Sequence, residues 1–132
     1  MKALLYLQVA AEAPWPQVQP LVLKVKQHVP ELEVLELDNF SRPELVQLAG
    51  RWVAESHRLA VVLELAEDAP GLGNLLPLLR QAALAGHPVW WRGLTEPGRI
   101  LRVQLTAAGV KPVVFSQEAV QQYLFYGENI GI

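Results

Sequence analysis

The sequence predicts an α/β fold: a three-layer sandwich in which a five-stranded parallel sheet, in the order 2-1-3-4-5, lies between two layers of helices. Short apolar runs of strand length alternate along the chain with segments of helical periodicity. The runs are Lys2 to Val9, Leu32 to Leu37, Leu59 to Leu65, Pro88 to Trp91 and Pro112 to Phe115. Because strands that alternate with helices are joined by right-handed crossovers, the sheet is expected to be parallel.

The third run identifies the centre of the sheet. Leu59, Ala60, Val61, Val62 and Leu63 are apolar at every position, without the alternation typical of a half-exposed strand. A strand covered by helices on both faces requires this pattern. We therefore expect the third run to be the central strand.

The intervening segments carry apolar residues at spacings of three and four, which is typical of helices with one buried face. The apolar residues are Val18, Leu21, Val22, Val25 and Val29 in the first helix; Leu45, Leu48, Trp52 and Val53 in the second; Leu72, Leu75, Leu76, Leu79 and Ala83 in the third; and Ala119, Val120, Tyr123 and Leu124 in the fifth. The fourth helix is predicted over Thr95 to Ala108. Ser41 and Glu44 have the spacing of a capping box at the second helix. Gly86 and Gly109 are predicted helix ends, and Ser116 is a predicted N-cap.

Composition bounds the classes of function. The 132 residues are expected to form one domain over positions 1–132, and the absence of cysteine excludes thiolate metal sites and disulfides. The net charge of -2 gives no reason to expect nucleic acid or an anionic membrane as a partner. Without a targeting or membrane segment, the expected location is the cytoplasm. No metal and no cofactor is expected.

A ligand site in a parallel sheet of this kind is expected beyond the carboxyl ends of its strands. The candidate ligand-binding residues at those ends are Glu12, Trp15, Glu64, Glu67, Asp68, Gly71 and Gly73. The acidic group could bind a cation or act as an acid or base. Alternatively, Glu67 and Asp68 are solvated loop residues and Glu64 is paired with an arginine, because an ionised carboxylate near a buried strand needs a partner.

Trp15, Gly71 and Gly73 also have structural explanations. Trp15 could stack on a ligand or pack over the core of its own domain. Gly71 and Gly73 precede the third helix, where a glycine turn can bind an anion, but they are equally explained as turn residues.

As a pattern of elements, nearly the whole chain resembles the flavodoxin-like superfold, which hosts many functions. The loop after the first strand has prolines instead of glycines, unlike the phosphate loop of flavodoxins. Lys111 and Pro112 are similar to the Lys-Pro pair of receiver domains but fall at the beginning of the fifth strand. Neither a flavodoxin nor a phosphorylatable receiver is therefore expected.

A shorter stretch is similar to nucleoside deoxyribosyltransferase-like proteins. It comprises Val61 to Glu64, Gly73 and the segment Leu78 to Val89, with its Ala-rich turn followed by Gly, a basic residue and Pro-Val. The resemblance implies handling of a nucleotide-derived ligand or its N-glycosidic bond. The nucleophilic glutamate of that family has no counterpart here, because Leu75 through Leu79 contain only Leu and Pro.

Apolar residues beyond those that a sheet requires predict an interface. They lie in the third helix, the fourth strand and the C-terminal region: Leu78, Ala82, Trp90, Tyr123, Phe125 and Tyr126. Aromatic side chains contribute strongly to interface energy, although they could equally cover the edge of their own domain. The preferred hypothesis is a non-catalytic, self-associating interaction or regulatory module. The alternative is binding of a nucleotide-derived ligand, or N-glycosidic chemistry, at the carboxyl end of the sheet.

Overall fold

A computed structural model of the chain describes residues 2–10, 20–66, 71–93 and 99–126. Its five strands form one parallel sheet in the order β2-β1-β3-β4-β5, which confirms the predicted topology. The strands are β1 (Lys2–Val9), β2 (Glu33–Asp38), β3 (Arg58–Leu65), β4 (Val89–Arg92) and β5 (Val113–Val114).

The helices follow the strands in sequence, as expected for βαβ crossovers. They are α1 (Pro20–His28), α2 (Pro43–Glu55), α3 (Leu76–Leu84), α4 (Arg99–Ala107) and α5 (Gln117–Tyr126). A 3-10 turn at Gly73–Leu75 leads directly into α3, so the third helix begins later than its apolar pattern suggests. The predicted start of the fourth helix, at Thr95, lies outside the described residues.

Two apolar cores lie on opposite faces of the sheet. The first contains Leu79 of α3 and Leu105 of α4, and we call this side of the sheet the α2–α4 face. The second contains Val25 of α1 and Val120 of α5, and we call it the α1/α5 face. Alternate strand residues point to alternate cores, so the parity of a strand residue decides which face receives its side chain.

The central strand is β3, which pairs with β1 on one side and β4 on the other. Its residues from Leu59 to Leu63 are all buried, with exposures of 1% or less. This confirms that the continuous apolar run reflects burial on both faces.

The predicted capping box at α2 is wrong. The N-cap of α2 is Arg42, which makes no side-chain capping bond, and Pro43 begins the helix. The Ser41 hydroxyl instead accepts a hydrogen bond from the backbone amide of Asp38 at 2.9 Å. Ser41 therefore closes the turn after β2. Pro43 has no N–H group, so α2 begins with one fewer backbone donor for a capping side chain to satisfy.

Three other predicted helix ends are confirmed. Gly86 and Gly109 follow α3 and α4 with φ angles of +79° and +76°, the left-handed conformation that glycine adopts readily. The Ser116 hydroxyl accepts a hydrogen bond from the Ala119 amide at 3.3 Å, as an N-cap of α5 should. Within the described ranges, no helix has the length and apolarity needed to cross a membrane.

Candidate functional site

Polar side chains from four neighbouring strands meet at the carboxyl end of the sheet. The register pairs Gln8 with Asp38 on one side and with Glu64 on the other, and Glu64 in turn with Arg92. Residues in register on parallel strands point to the same face, here the α1/α5 face. The sheet topology thus places an amide, two carboxylates and a guanidinium in one row.

Glu64 is the centre of this row. Its Oε2 accepts a hydrogen bond from Gln8 Nε2 at 2.9 Å. Its Oε1 lies 3.8 Å from Arg92 Nε, an ion pair too long to be a hydrogen bond. The side chains of Arg92 and Glu64 remain 39% and 28% exposed, so both charges are accessible from solvent. We call Gln8, Glu64, Arg92 and Tyr6, which lies beneath them, the carboxyl-end cluster.

Tyr6 is fully buried, at 0% exposure, two residues before Gln8 on the same face of β1. Its hydroxyl makes no hydrogen bond of good geometry to the described residues, although it lies close to Glu64 and Arg92. Burial raises the pKa of Tyr6, and the negative charge of Glu64 raises it further, while Arg92 opposes the shift. The hydroxyl is therefore protonated and buried, and it is held close to the two charged groups.

Arg92 is also held from the β5 side. The centre of its guanidinium lies 5.5 Å from the centroid of the Phe115 ring, a cation-π distance. Among the described residues, the Arg92 guanidinium donates no hydrogen bond of good geometry. The terminal nitrogens of Arg92 can thus donate to a further group without breaking an existing hydrogen bond.

The predicted ligand residues divide into three groups, of which Gly71 and Gly73, in the turn before α3, are described below. Glu64 lies at the carboxyl end of β3 with the arginine partner that one of the two sequence interpretations required. The predicted residues Glu12, Trp15, Glu67 and Asp68 lie outside the described residues.

Sequence reasoning missed Tyr6, Gln8 and Arg92 as members of the cluster. The alternation of side chains along a strand could have identified them, because Tyr6 and Gln8 lie on the same face of the first strand. Residues at the ends of neighbouring parallel strands also lie at the same edge of the sheet. A polar residue on a buried strand, taken together with the predicted strand order, would have placed Gln8 beside Glu64.

The glycine turn before α3 is used for packing. The Leu72 amide, between the two glycines, donates to Gln104 Oε1 of α4 at 2.8 Å. A Cβ at Gly71 would lie 3.1 Å from the same oxygen, and Gly73 has a φ angle of +56°. Close approach explains Gly71, and the left-handed backbone conformation explains Gly73. The geometry thus supports the interpretation of Gly71 and Gly73 as turn residues.

The predicted interface residues have different environments. Leu78, Ala82 and Trp90 are buried in the chain's own two cores. Tyr123 is half-buried and its ring lies 5.9 Å from that of Trp90. Only Phe125 and Tyr126 of the set are exposed.

Phe125 and its neighbours are tied to the amino end of the sheet. Arg58 Nη1, at the start of β3, donates to the Phe125 carbonyl at 2.6 Å. Lys2 Nζ lies 5.3 Å from the Phe125 ring centroid. Cations near the last carbonyls of a helix are favourable because they complement the helix dipole. The end of α5 is therefore docked on the parent sheet, which was one of the two outcomes expected for the apolar C-terminal region.

Three strongly exposed apolar side chains lie on α4 and on β5, the last strand of the sheet. Ile100 and Val103 of α4 are 64% and 61% exposed, and Val114 of β5 is 65% exposed. Val113 and Phe115 pack on the α1/α5 core, so strand alternation turns Val114 toward the α4 side. We call Ile100, Val103 and Val114 the β5-edge patch.

Comparison with protein-family models, curated proteins and solved structures finds no match. The resemblance to nucleoside deoxyribosyltransferase-like proteins thus receives no support from relatives. No group of three or more His, Asp or Glu side chains suited to a metal ion occurs among the described residues.

Proposed function

We propose that this chain is a non-catalytic interaction module that self-associates through the β5-edge patch. The observation that supports this proposal is the high exposure of three apolar side chains, Ile100 and Val103 on α4 and Val114 on the edge strand β5. Exposed apolar residues that cluster, unlike those scattered singly, mark interaction surfaces. Val103 shares an open, shallow surface of α4 with Arg99, Arg102, Thr106 and Ala107.

The backbone of β5 supports the same surface. The strand has only two residues, and among the described residues it pairs with β4 alone. An edge strand presents unpaired N–H and C=O groups, which a second chain can satisfy. A very short edge strand provides few such groups, so side chains must supply most of the association energy.

Charge favours a second copy as the partner. Arg99 and Arg102 accompany the patch on α4, whereas Glu118 lies on α5, across the sheet edge. A two-fold axis parallel to β5 brings α4 of one copy opposite α5 of the other. In that arrangement the basic helix of each protomer faces the acidic start of its partner's α5, and the surface is self-complementary, as an isologous dimer requires.

Size-exclusion chromatography with light scattering over a concentration series tests the proposal. Val103→Asp should shift the protein from dimer to monomer, since it places a charge within an apolar contact. Leu23→Asp on α1 is the matched control, because Leu23 is also exposed, at 51%, but lies on another part of the molecule. A wild-type protein that is monomeric at every concentration refutes self-association.

Charge reversal tests the proposed geometry. Arg102→Glu and Glu118→Arg should each weaken the dimer by opposing like charges, and the double variant should recover much of the loss. Recovery requires that these two residues face each other across the interface. If the double variant is as weak as the sum of the single variants, the dimer uses another surface.

A further inference from the structure

The carboxyl-end cluster has unused hydrogen-bonding capacity that packing does not explain. Tyr6 carries a hydroxyl that makes no hydrogen bond of good geometry to the described residues, although its side chain is 0% exposed and lies close to Glu64 and Arg92. A buried polar group without a partner is costly, and such groups are rare in folded proteins. A polar partner that is bound only part of the time would account for the retention of this hydroxyl.

The two charged side chains of the cluster, Arg92 and Glu64, have unused hydrogen-bonding groups on the solvent side. Arg92 is paired with Glu64 only through a 3.8 Å contact of its Nε. Its planar guanidinium offers further donors in a fork that matches carboxylate or phosphate oxygens. Glu64 Oε1, which Gln8 does not use, can accept from a hydroxyl or an ammonium group.

These groups form one constellation with both signs of charge. Glu64 and Arg92 are in register on β3 and β4, and Tyr6 lies two residues before the register partner of Glu64 on the same face of β1, so the three groups are close in space. They lie at the carboxyl ends of β1, β3 and β4, where parallel sheets of this topology bind ligands. The Phe115 ring holds the guanidinium from the β5 side, so Arg92 is positioned before any ligand arrives.

We infer that the carboxyl-end cluster binds a small molecule that combines an oxyanion with a hydroxyl or amine group. The oxyanion, carboxylate or phosphate, accepts hydrogen bonds from the Arg92 guanidinium and from the Tyr6 hydroxyl. The hydroxyl or ammonium group donates to Glu64. Binding in this way separates the weak Glu64 and Arg92 pair and gives each charge a closer partner, so no charge is left unpaired.

Isothermal titration calorimetry with two probes tests this inference. Ribose 5-phosphate carries a phosphate with hydroxyl groups, and L-serine carries a carboxylate with an ammonium group. At least one should bind with a Kd below about 1 mM. Inorganic phosphate and glycerol, which carry only one kind of group each, should bind at least about tenfold more weakly. The stronger of the two probes identifies the oxyanion as phosphate or carboxylate.

Variants assign the binding to the cluster. Arg92→Gln and Glu64→Gln should each weaken the preferred probe about tenfold or more, as expected for loss of a hydrogen bond to a charged group. Arg51→Gln on α2 is the control for charge, because Arg51 is exposed on the opposite face of the sheet and should leave the affinity unchanged.

Tyr6→Phe separates ligand binding from damage to the fold. It should weaken the probe several-fold while raising the melting temperature of the unliganded protein, since it removes an unsatisfied hydroxyl. Weaker binding in a more stable variant cannot result from unfolding. No binding of either probe at about 10 mM, or equal binding by wild type and all three cluster variants, overturns the inference.

Discussion

Replacing Tyr6 with phenylalanine tests how this buried hydroxyl affects stability. Tyr6 lies in the second core with 0% exposure, and its hydroxyl has no hydrogen-bond partner among the described residues. The substitution removes one oxygen and leaves the ring, so it creates almost no cavity. Because a buried unsatisfied polar group costs about 1–3 kcal/mol, we expect the unliganded variant to be more stable by an amount in this range at pH 7.

The advantage of the Tyr6→Phe variant should grow in alkali. Burial and the neighbouring Glu64 raise the pKa of Tyr6 in the folded protein, whereas an unfolded tyrosine has a pKa of about 10. Above pH 10 the unfolded wild-type chain loses a proton that the folded chain keeps, so stability falls as pH rises. If Tyr6 stays protonated in the folded protein, the wild type loses about 1.4 kcal/mol relative to the variant between pH 7 and pH 11.

Urea unfolding followed by circular dichroism at both pH values measures these differences. Other groups that titrate in alkali are common to both proteins and cancel in the comparison. Equal or lower stability of Tyr6→Phe at pH 7 would show that the hydroxyl has a partner in solution. A gap that does not widen by pH 11 would show that Tyr6 ionises in the folded state, contrary to its burial.

Three further predictions concern packing and helix ends. Leu79 and Leu84 of α3 are 0% and 83% exposed. In urea unfolding, Leu79→Ala should cost about 2–5 kcal/mol of stability, whereas Leu84→Ala should change it by less than about 0.5 kcal/mol. Comparable losses in the two variants would contradict these exposures. Gly109→Ala should cost about 1–2 kcal/mol of stability, because alanine must then adopt the φ angle of +76°. Gly109→Asn should cost less, because asparagine adopts this conformation more readily and nothing lies within 4 Å of the added Cβ. Equal costs for the two variants would point to a steric cause. Arg58→Ala should speed amide exchange at the end of α5, where Arg58 binds the Phe125 carbonyl, and unchanged protection would argue against this docking.

The sheet was predictable because its signal is redundant along the chain. The apolar run around Leu63 indicates burial on both faces by composition alone, and strand-helix alternation then limits the topologies. The start of α2 was predicted wrongly because a capping box and a turn-closing hydroxyl, here that of Ser41, have the same local sequence. Only the position of the Asp38 amide distinguishes them, and that depends on how β2 ends.

The candidate site was only partly predictable, because its residues come from separate strands. The cost of burying a carboxylate indicated that Glu64 needs a partner, and the arginine alternative agrees with the structure. The identity of that arginine depends on the register of β4 against β3, which four strand residues do not determine locally. The exposure of the β5-edge patch was missed for a similar reason. The sequence of a helix shows which of its residues are apolar, but not how many of them a two-residue edge strand can cover.

The carboxyl-end cluster and the exposed apolar residues of α4 lie on opposite faces of the sheet. Tyr6, Gln8, Glu64 and Arg92 point to the α1/α5 face, whereas α4 and its exposed residues lie on the other face. Phe115, which follows β5 and contacts Arg92, is the described link between the carboxyl-end cluster and the β5 edge. Distant sites without shared partners act additively, whereas coupled sites change each other's affinity by the same factor. Dimer affinity that is unchanged by a bound probe would therefore mean that the ring of Phe115 positions Arg92 without transmitting its state to the edge.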